Sequence, residues 1–309
     1  MRNRPRVTVL GSLNMDISVT VPRLPEPGAT VLGSAARFTP GGKGANQAVA
    51  AARLGASVHM AGCVGDDDFG RRLLAALREE KVDTGGVRVT GGAPTGLAMI
   101  SVDQAGENII TVAPGANHET GPAEVRAALA QPRNVLVVCA EIRVEAIVAT
   151  LARHRVSILN LAPAPADAAQ IVAGARPDWL VVNENEAGAV LGRPVSGLSE
   201  AAEAAVALID AGARHAVVTA GAHGAALADG PGPAETVQAF RVEAVDTVGA
   251  GDTFVGALAV TLAAGVPAAE AVRAAAAAAA TAATRPGAQA SMPRPADIRA
   301  VTGLTWPVR

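Results

Sequence analysis

The chain has 309 residues, half of them hydrophobic, with 26 Lys and Arg against 28 Asp and Glu. That near balance gives no long-range field for nucleic acid or an anionic membrane, and the length fits one large domain or about two ordinary ones. With no Tyr, four Phe and two Trp, Ala, Val and Leu must fill the core.

The N-terminus is basic and then apolar, but Asn14 and Asp16 interrupt the apolar run, so no secretory leader is expected. RVTVLGS (6–12) predicts a first strand, and ANQAVAAARLG (45–55) a helix starting near Ala45 and stopping at Gly55. SVHMAGCVG is the next strand and DFGRRLLAALREEKV the next helix. The alternation continues with NVLVVCAE and VEAIVATLARHR, VSILNLAP and ADAAQIVAGA, and WLVVNENE and EAGAVLG. SEAAEAAVALIDAG then precedes HAVVTAG. Near-continuous apolar strands between helices point to a parallel sheet covered on both faces, an α/β architecture of three layers.

Two regions lack the intervening helix. Residues 12–40 contain SVTVPRLPEPGATVLGSAARF, and residues 94–112 contain PTGLAMISVDQAGENIITV with a hairpin turn at Gln104 to Glu107. They predict a small antiparallel sheet that projects from the body as a lid over a site at the strand C-termini. The tail from Arg285 predicts loop and then a short helix around Ala296 to Val301. The alanine run Ala274–Ala283 is far shorter than the ~20 residues of a membrane span. Cys63 and Cys139 lack metal-ligand spacing and are expected as buried reduced thiols, which suits a cytoplasmic protein. The five histidines show no metal spacing, and solvent exposure is expected for each.

Several residues carry chemistry. Asn14 and Asp16, two apart, share a strand face and suit a polyhydroxylated ligand; local backbone bonding is the competing role. Gly41, Gly42 and Gly44 precede a helix and let backbone approach a ligand, with Lys43 and Asn46 as polar groups beside them. The loop is not a Walker A loop, because GxxxxGK[ST] is missing. Glu141 ends an apolar strand, at the ligand edge or as a helix-start acid. Asn183 and Glu186 are three apart and suit a hydrated Mg²⁺, with helix capping as the alternative. TAGAHG (219–224) offers room and backbone donors for a flat ring or a phosphate. In DTVGAGDTF (246–254), Gly249, Ala250 and Gly251 lead into a helix and form an anion hole. Asp252 is then either a helix cap or the base of a phosphoryl transfer.

GGKGANQAVAAARLGA and AVDTVGAGDTFVGAL resemble the two signature regions of the PfkB carbohydrate kinase family. NMD, GDDDFG, GENIITVAPGAN, LNLAPAPA, VNENEA and TRPGAQASMP resemble further family segments, in order, over essentially the full length. The resemblance implies the family's ribokinase-like fold: a three-layer α/β/α domain spanning 1–309, a mostly parallel central sheet, and a four-stranded β lid. The lid would come from about 12–40 and 94–116 and would double as a homodimer interface.

It implies ATP-dependent phosphorylation of D-ribose at O5, with deoxyribose, another sugar or a nucleoside as alternative acceptors. By position, Asn14, Asp16, Gly42, Lys43, Gly44, Ala45, Asn46 and Glu141 would hold the sugar, and Asp252 would be the base beside the anion hole. Asn183, Thr219, Ala220, Gly221, Ala222, His223, Gly224, Gly251, Asp252 and Ala276 would meet the nucleotide. Asn183 and Glu186 would organise Mg²⁺ through water. Asp246, Val248, Ala282, Arg285, Gly287 and Ser291 would hold an activating K⁺, several through carbonyls. Ala276 stands where some members carry His or Asn, so the adenine contact there would be apolar. A nucleoside acceptor would need an aromatic platform, of which Phe38 is the one candidate near the lid. A non-catalytic sugar-binding regulator would show a damaged base or anion hole, and both are intact.

Overall fold

A computed structural model describes residues 4–131, 135–153, 156–230 and 232–308. Its strands are β1 (Arg6–Leu10), β2 (Asn14–Thr20), β3 (Arg37–Gly41), β4 (Ser57–Gly65), β5 (Asp83–Thr90), β6 (Gly96–Val102) and β7 (Asn108–Ala113). They continue as β8 (Val135–Cys139), β9 (Ser157–Asn160), β10 (Trp179–Asn183), β11 (His215–Thr219), β12 (Gly224–Ala228) and β13 (Glu235–Gln238). The helices are α1 (Lys43–Arg53), α2 (Asp68–Glu79), α3 (Pro122–Leu129), α4 (Val144–Leu151), α5 (Ala168–Ala175) and α6 (Glu184–Leu191). After them come α7 (Gly197–Asp210), α8 (Ala250–Ala263), α9 (Ala268–Ala283), α10 (Ala288–Ser291) and α11 (Pro295–Thr302).

Nine strands form one sheet in the order β13-β12-β11-β10-β9-β8-β1-β4-β5. The ladders from β11 to β5 are parallel, and β12 and β13 add an antiparallel edge. Strand pleating explains the two cores. Val7, Val9, Val135, Val137, Ile158 and Val181 point to one face, packed with α1, α2, α8, α9 and α11. The alternate residues Leu10, Leu136, Val138, Leu159, Leu180 and Val182 point to the other, packed with α3 to α7.

Small residues set the helix spacing that an aromatic-poor core requires. A Cβ on Gly256 of α8 would lie 2.7 Å from the Ala50 Cβ of α1. The two helices therefore approach more closely than larger side chains permit.

The second sheet has the order β3-β2-β6-β7. It is not purely antiparallel as predicted: β2 and β6 run parallel, Asn14 opposite Gly96 through Thr20 opposite Val102. These strands are separated by β3, α1, β4, α2 and β5, a connection long enough for a crossover. The predicted hairpin is present as β6 and β7, with Gly106 at φ 86° in its turn. Three strands were not predicted: the edge strand β5, whose Gly85 and Gly86 mask the pattern, the small-residue strand β12, and the opposite edge strand β13. Helix α1 begins at Lys43, two residues before the prediction, and α6 begins at Glu184.

Two histidines differ from the expected exposure. The His59 side chain is 12% exposed and meets Asp83 at 2.7 Å, and the largely buried His215 ring stacks on Trp179 with centroids 4.5 Å apart. His118 and His223 are exposed, and His154 lies outside the described residues. Cys63 and Cys139 are buried free thiols, and burial pushes each up to about 11. Among the described residues no helix is long and apolar enough to cross a membrane.

Candidate active site

Four chain segments meet at the carboxyl ends of β1 and β8. Leaving β1, the chain passes Ser12 and enters β2, which carries Asn14 and Asp16 on one face. The glycines after β3 bring α1 against that turn. A Cβ on Gly44 would lie 2.7 Å from the Gly11 carbonyl carbon, and one on Gly42, at φ 86°, would lie 2.6 Å from the Asn14 nitrogen. A Cβ on Gly41 would sit 2.1 Å from the Asp16 carboxylate. The loop is glycine-rich because backbone and carboxylate occupy the space.

Ala45 does not reach this surface. It is 1% exposed in the core, and its N–H donates to the Ser12 carbonyl at 3.0 Å. Its predicted sugar contact is therefore not supported by the packing. Gly44 likewise directs its N–H to Ser12 Oγ at 3.4 Å.

Asp252 lies in the first turn of α8, 8% exposed. Asn46 Nδ2 donates to its Oδ2 at 2.9 Å, and Gln47 Nε2 donates to its Oδ1 at 3.1 Å. Gln47 Nε2 also donates to Asn160 Oδ1 at 2.9 Å, and Asn160 Nδ2 to the Val181 carbonyl at 3.1 Å. The hydrogen bonds to the Asp252 carboxylate come from the Asn46 and Gln47 side chains and not from the first backbone N–H groups of α8, so capping does not explain this acid. Gly249, at φ 77°, is the N-cap residue, and a Cβ there would lie 3.0 Å from the Ala288 Cα. Ala250 N–H donates to the Thr247 carbonyl at 3.2 Å. The amides that follow open the helix, where N–H groups lack intrahelical acceptors and the dipole favours an anion.

Around Asp252 the charges are concentrated. Burial pushes the Asp16 carboxyl up to about 7, the Glu141 and Asp252 charges adding and Lys43 opposing. Burial acts to lower the Lys43 ammonium, but Asp252, Glu141 and Glu186 together hold it above its ordinary value. Burial also raises the Glu186 carboxyl, against the Asn183 backbone bond and Lys43. Glu141 Oε2 accepts from Ser12 Oγ at 2.5 Å and from the Lys43 backbone N–H at 3.3 Å. Glu141 thus belongs to the site and is not an acid of α4.

Ser12, Gln47, Asn117 and Asn160 were not singled out from sequence. Gln47 reads as a helix-interior residue. Ser12 sits in an unremarkable LGS turn. Asn117, in a 3₁₀ turn, donates to Asn14 Oδ1 at 2.7 Å and accepts from Leu13 N at 2.9 Å, fixing the Asn14 amide. The register also places Ala98, Ile100, Ile110 and Val112 of the small sheet on the same face as Asp16.

Next to Asp252 a cleft of about 440 Å³ opens. Of the predicted nucleotide residues, Thr219, Gly221, Ala222, Gly224, Gly251 and Ala276 line it. Phe240, Val242, Thr247 and Phe254 line it too and were not foreseen. The Arg273 guanidinium lies 5.8 Å from the Phe240 ring centroid. Ala220 is 1% exposed in the core, and His223 is exposed outside the lining, so neither side chain faces the cleft.

Asn183 ends β10, opposite Thr219. It forms a capping box with Glu186: Asn183 Oδ1 accepts from Glu186 N, and Glu186 Oε2 accepts from Asn183 N, both at 2.9 Å. Among the described residues no group of three or more His, Cys, Asp or Glu side chains could hold a metal. A Mg²⁺ here would therefore take its ligands from phosphates, water and one or two carboxylates, its usual habit.

The segments predicted for K⁺ converge. Asp246 Oδ1 accepts from Val248 N at 2.9 Å, and its Oδ2 accepts from Gly287 N at 2.8 Å. Val245 N–H donates to the Ala283 carbonyl at 2.8 Å, and Arg285 N–H to the Ala282 carbonyl at 3.1 Å. The Arg285 guanidinium pairs with Asp297 at 2.9 Å, so a cation contact of Arg285 would be through its backbone carbonyl. Ser291 Oγ donates to the Ala288 carbonyl at 2.9 Å. A carboxylate with backbone carbonyls is an all-oxygen donor set, which fits a hard cation.

Comparison with known proteins agrees with this fold. Residues 4–295 match the model of the pfkB family carbohydrate kinases. A ribokinase from Haemophilus influenzae is 36% identical over 294 residues, covering 94% of this chain and 96% of that protein. A deoxyribokinase from Salmonella typhi is 33% identical over 259 residues, covering 82% and 84%. The structure of Arabidopsis thaliana ribokinase complexed with ribose and ATP superposes with a TM-score of 0.83 at 28% identity, covering 98% of this chain and all of that one. With its sheet between two helix layers, its projecting small sheet and its glycine-flanked acid at the start of α8, the chain belongs to the pfkB family of carbohydrate kinases.

Proposed function

We propose that this enzyme transfers the γ-phosphoryl group of ATP to O5 of D-ribose. The observation that carries the proposal is the placement of Asp252. Its two oxygens are held by Asn46 and Gln47, at a helix start that borders both the acid-rich pocket and the cleft containing Gly251. Asn14, Asp16 and Glu141 offer acceptors, and Lys43 and Asn46 donors, for a small polyhydroxylated sugar.

In the transfer, Asp252 takes the proton of the sugar's O5 hydroxyl as that oxygen attacks the γ-phosphorus. The new O5–P bond forms as the bond from the γ-phosphorus to the β,γ-bridging oxygen breaks, and ADP leaves with that electron pair. The amides of Gly249 and Gly251 and the α8 dipole would face the charge on the transferring group, and the Ala250 N–H would join them by leaving the Thr247 carbonyl. Lys43, kept protonated by its acidic neighbours, adds a positive charge. Mg²⁺ would neutralise phosphate charge, with Glu186 and Asn183 nearest to its water shell. Asp246, Gly287 and the carbonyls around Ala282 and Arg285, with Val248 and Ser291 beside them, would hold K⁺ behind the anion hole.

The same reading makes residues 1–309 one kinase domain with the lid segments inserted, placed in the cytoplasm. The small sheet would also pair two copies. Its face opposite Asp16 exposes Phe38, Met99 and Ile109 at 43%, 47% and 47%, an apolar surface of the kind that marks an interface.

The match to a deoxyribokinase favours deoxyribose as a second acceptor. The test is ADP release with Mg-ATP across D-ribose, deoxyribose, fructose and adenosine, each with and without K⁺. Ribose turnover raised by K⁺ is expected. Faster turnover of another acceptor would move the assignment to that substrate, and no turnover with any would refute it.

A further inference from the structure

We infer that Gln289, on α10, is a positioning residue for Asp252, acting through the amide of Asn46. The inference rests on the reading of Asp252 as the base.

A carboxylate only accepts hydrogen bonds, so Asn46 must turn its Nδ2 toward Asp252. That leaves Asn46 Oδ1 facing the other way, on a buried side chain and in need of a donor. Gln289 Nε2 supplies it at 3.1 Å. Asparagine is nearly symmetric in shape, and a half-turn of its amide swaps donor for acceptor. Gln289 is the group that makes the productive orientation differ from the flipped one at the far end of the amide. In the flipped state an oxygen would face Asp252, and one of its two side-chain donors would be lost.

The Gln289 end is itself anchored. Its carbonyl accepts from Arg53 Nη1 at 2.6 Å, and the same nitrogen reaches the Met292 carbonyl at 2.9 Å. Arg53 is held in turn by Glu80, through Nε at 3.1 Å and Nη2 at 2.5 Å. Two residues before Gln289, the Gly287 N–H donates to Asp246. The strut therefore runs from a clamped turn to the reacting carboxylate, along Gln289, Asn46 and Asp252. The Gln47–Asn160 pair holds the second oxygen independently.

Two variants of the full-length enzyme separate orientation from packing. Gln289→Ala removes the donor. Gln289→Glu keeps the shape but presents an acceptor, so Asn46 is drawn to flip its Nδ2 away from Asp252. Initial rates are measured with Mg-ATP and the sugar that the unaltered chain phosphorylates fastest, with Asp252→Asn alongside and thermal melting of each protein. Hydrogen bonds to charged groups are worth enough that kcat should fall about 10-fold in Gln289→Ala and about 100-fold in Gln289→Glu. The KM for ATP and the melting temperature should hardly move.

Unchanged kcat in both variants, with Asp252→Asn inactive, would overturn the inference and leave the base assignment standing. Equal losses in the two variants together with lowered melting temperatures would overturn it too, showing packing alone. An active Asp252→Asn would instead remove the base reading on which it rests.

Discussion

Sugar binding should be coupled to proton release at Asp16. This carboxyl is pushed up to about 7 in the free protein, first by burial and then by Glu141 and Asp252. Sugar hydroxyls donate to a carboxylate, so the bound state requires Asp16 ionised. With that midpoint only about one molecule in ten is ionised at pH 6, and the sugar Kd should be about 10-fold weaker there than on a plateau above pH 8. Each sugar bound at pH 6 should release about 0.9 proton. Titration calorimetry with D-ribose and no nucleotide, from pH 5.5 to 8.5 in buffers of different ionisation enthalpy, measures both quantities.

The stability of the free protein follows the same group with the opposite preference. A folded-state value raised above the ordinary 3.8 contributes stability that is fully present below that value and is lost as pH rises through about 7. The upward shift in melting temperature produced by sugar should therefore grow from pH 5.5 to 8. A Kd that is flat across this range, or a slope that survives in Asp16→Asn, would refute the reasoning.

Other outcomes can be checked separately. Asp252→Asn should lower kcat by about 10²- to 10⁴-fold in steady-state assays, because an amide cannot take the proton and turns an NH₂ toward Asn46 or Gln47. Gly256→Ala should destabilise the fold by about 1–3 kcal/mol in urea unfolding, since its Cβ would meet Ala50 at 2.7 Å. Met99→Glu with Ile109→Lys should shift the protein to monomer in sedimentation analysis. Folding should be retained, because both side chains are about half exposed.

Much of the architecture was legible because burial on two faces leaves a simple mark. Strands β8, β9, β10 and β11 are continuous apolar runs bounded by helices, and a parallel sheet between two helix layers is the arrangement that buries both faces. Glycines at 41, 42, 44 and 249 announced loops where backbone must approach something closely. The edge strands β5, interrupted by glycines, and β13 carried no such mark, because edge strands need no apolar pattern as strong as the centre does; β12, GAALA, is buried but its small residues lack the β-branched signature.

The residues of the sequence alone determined the mostly parallel sheet, the two helix layers, the family and the acid at the start of α8. Tertiary structure decided which groups surround that acid. Ala45 and Ala220 lie within motifs yet face the core, because helix and strand phase set by packing point them there. Gln47 looked like an ordinary helix residue, and Gln289 lay in a tail read as loop. Both reach the neighbourhood of Asp252 because Gly256 lets α1 and α8 pack closely and Arg53 clamps the turn at α10. Local periodicity records which side of an element is buried; the partner of a polar group across the fold depends on distances between elements, which only the packed chain sets.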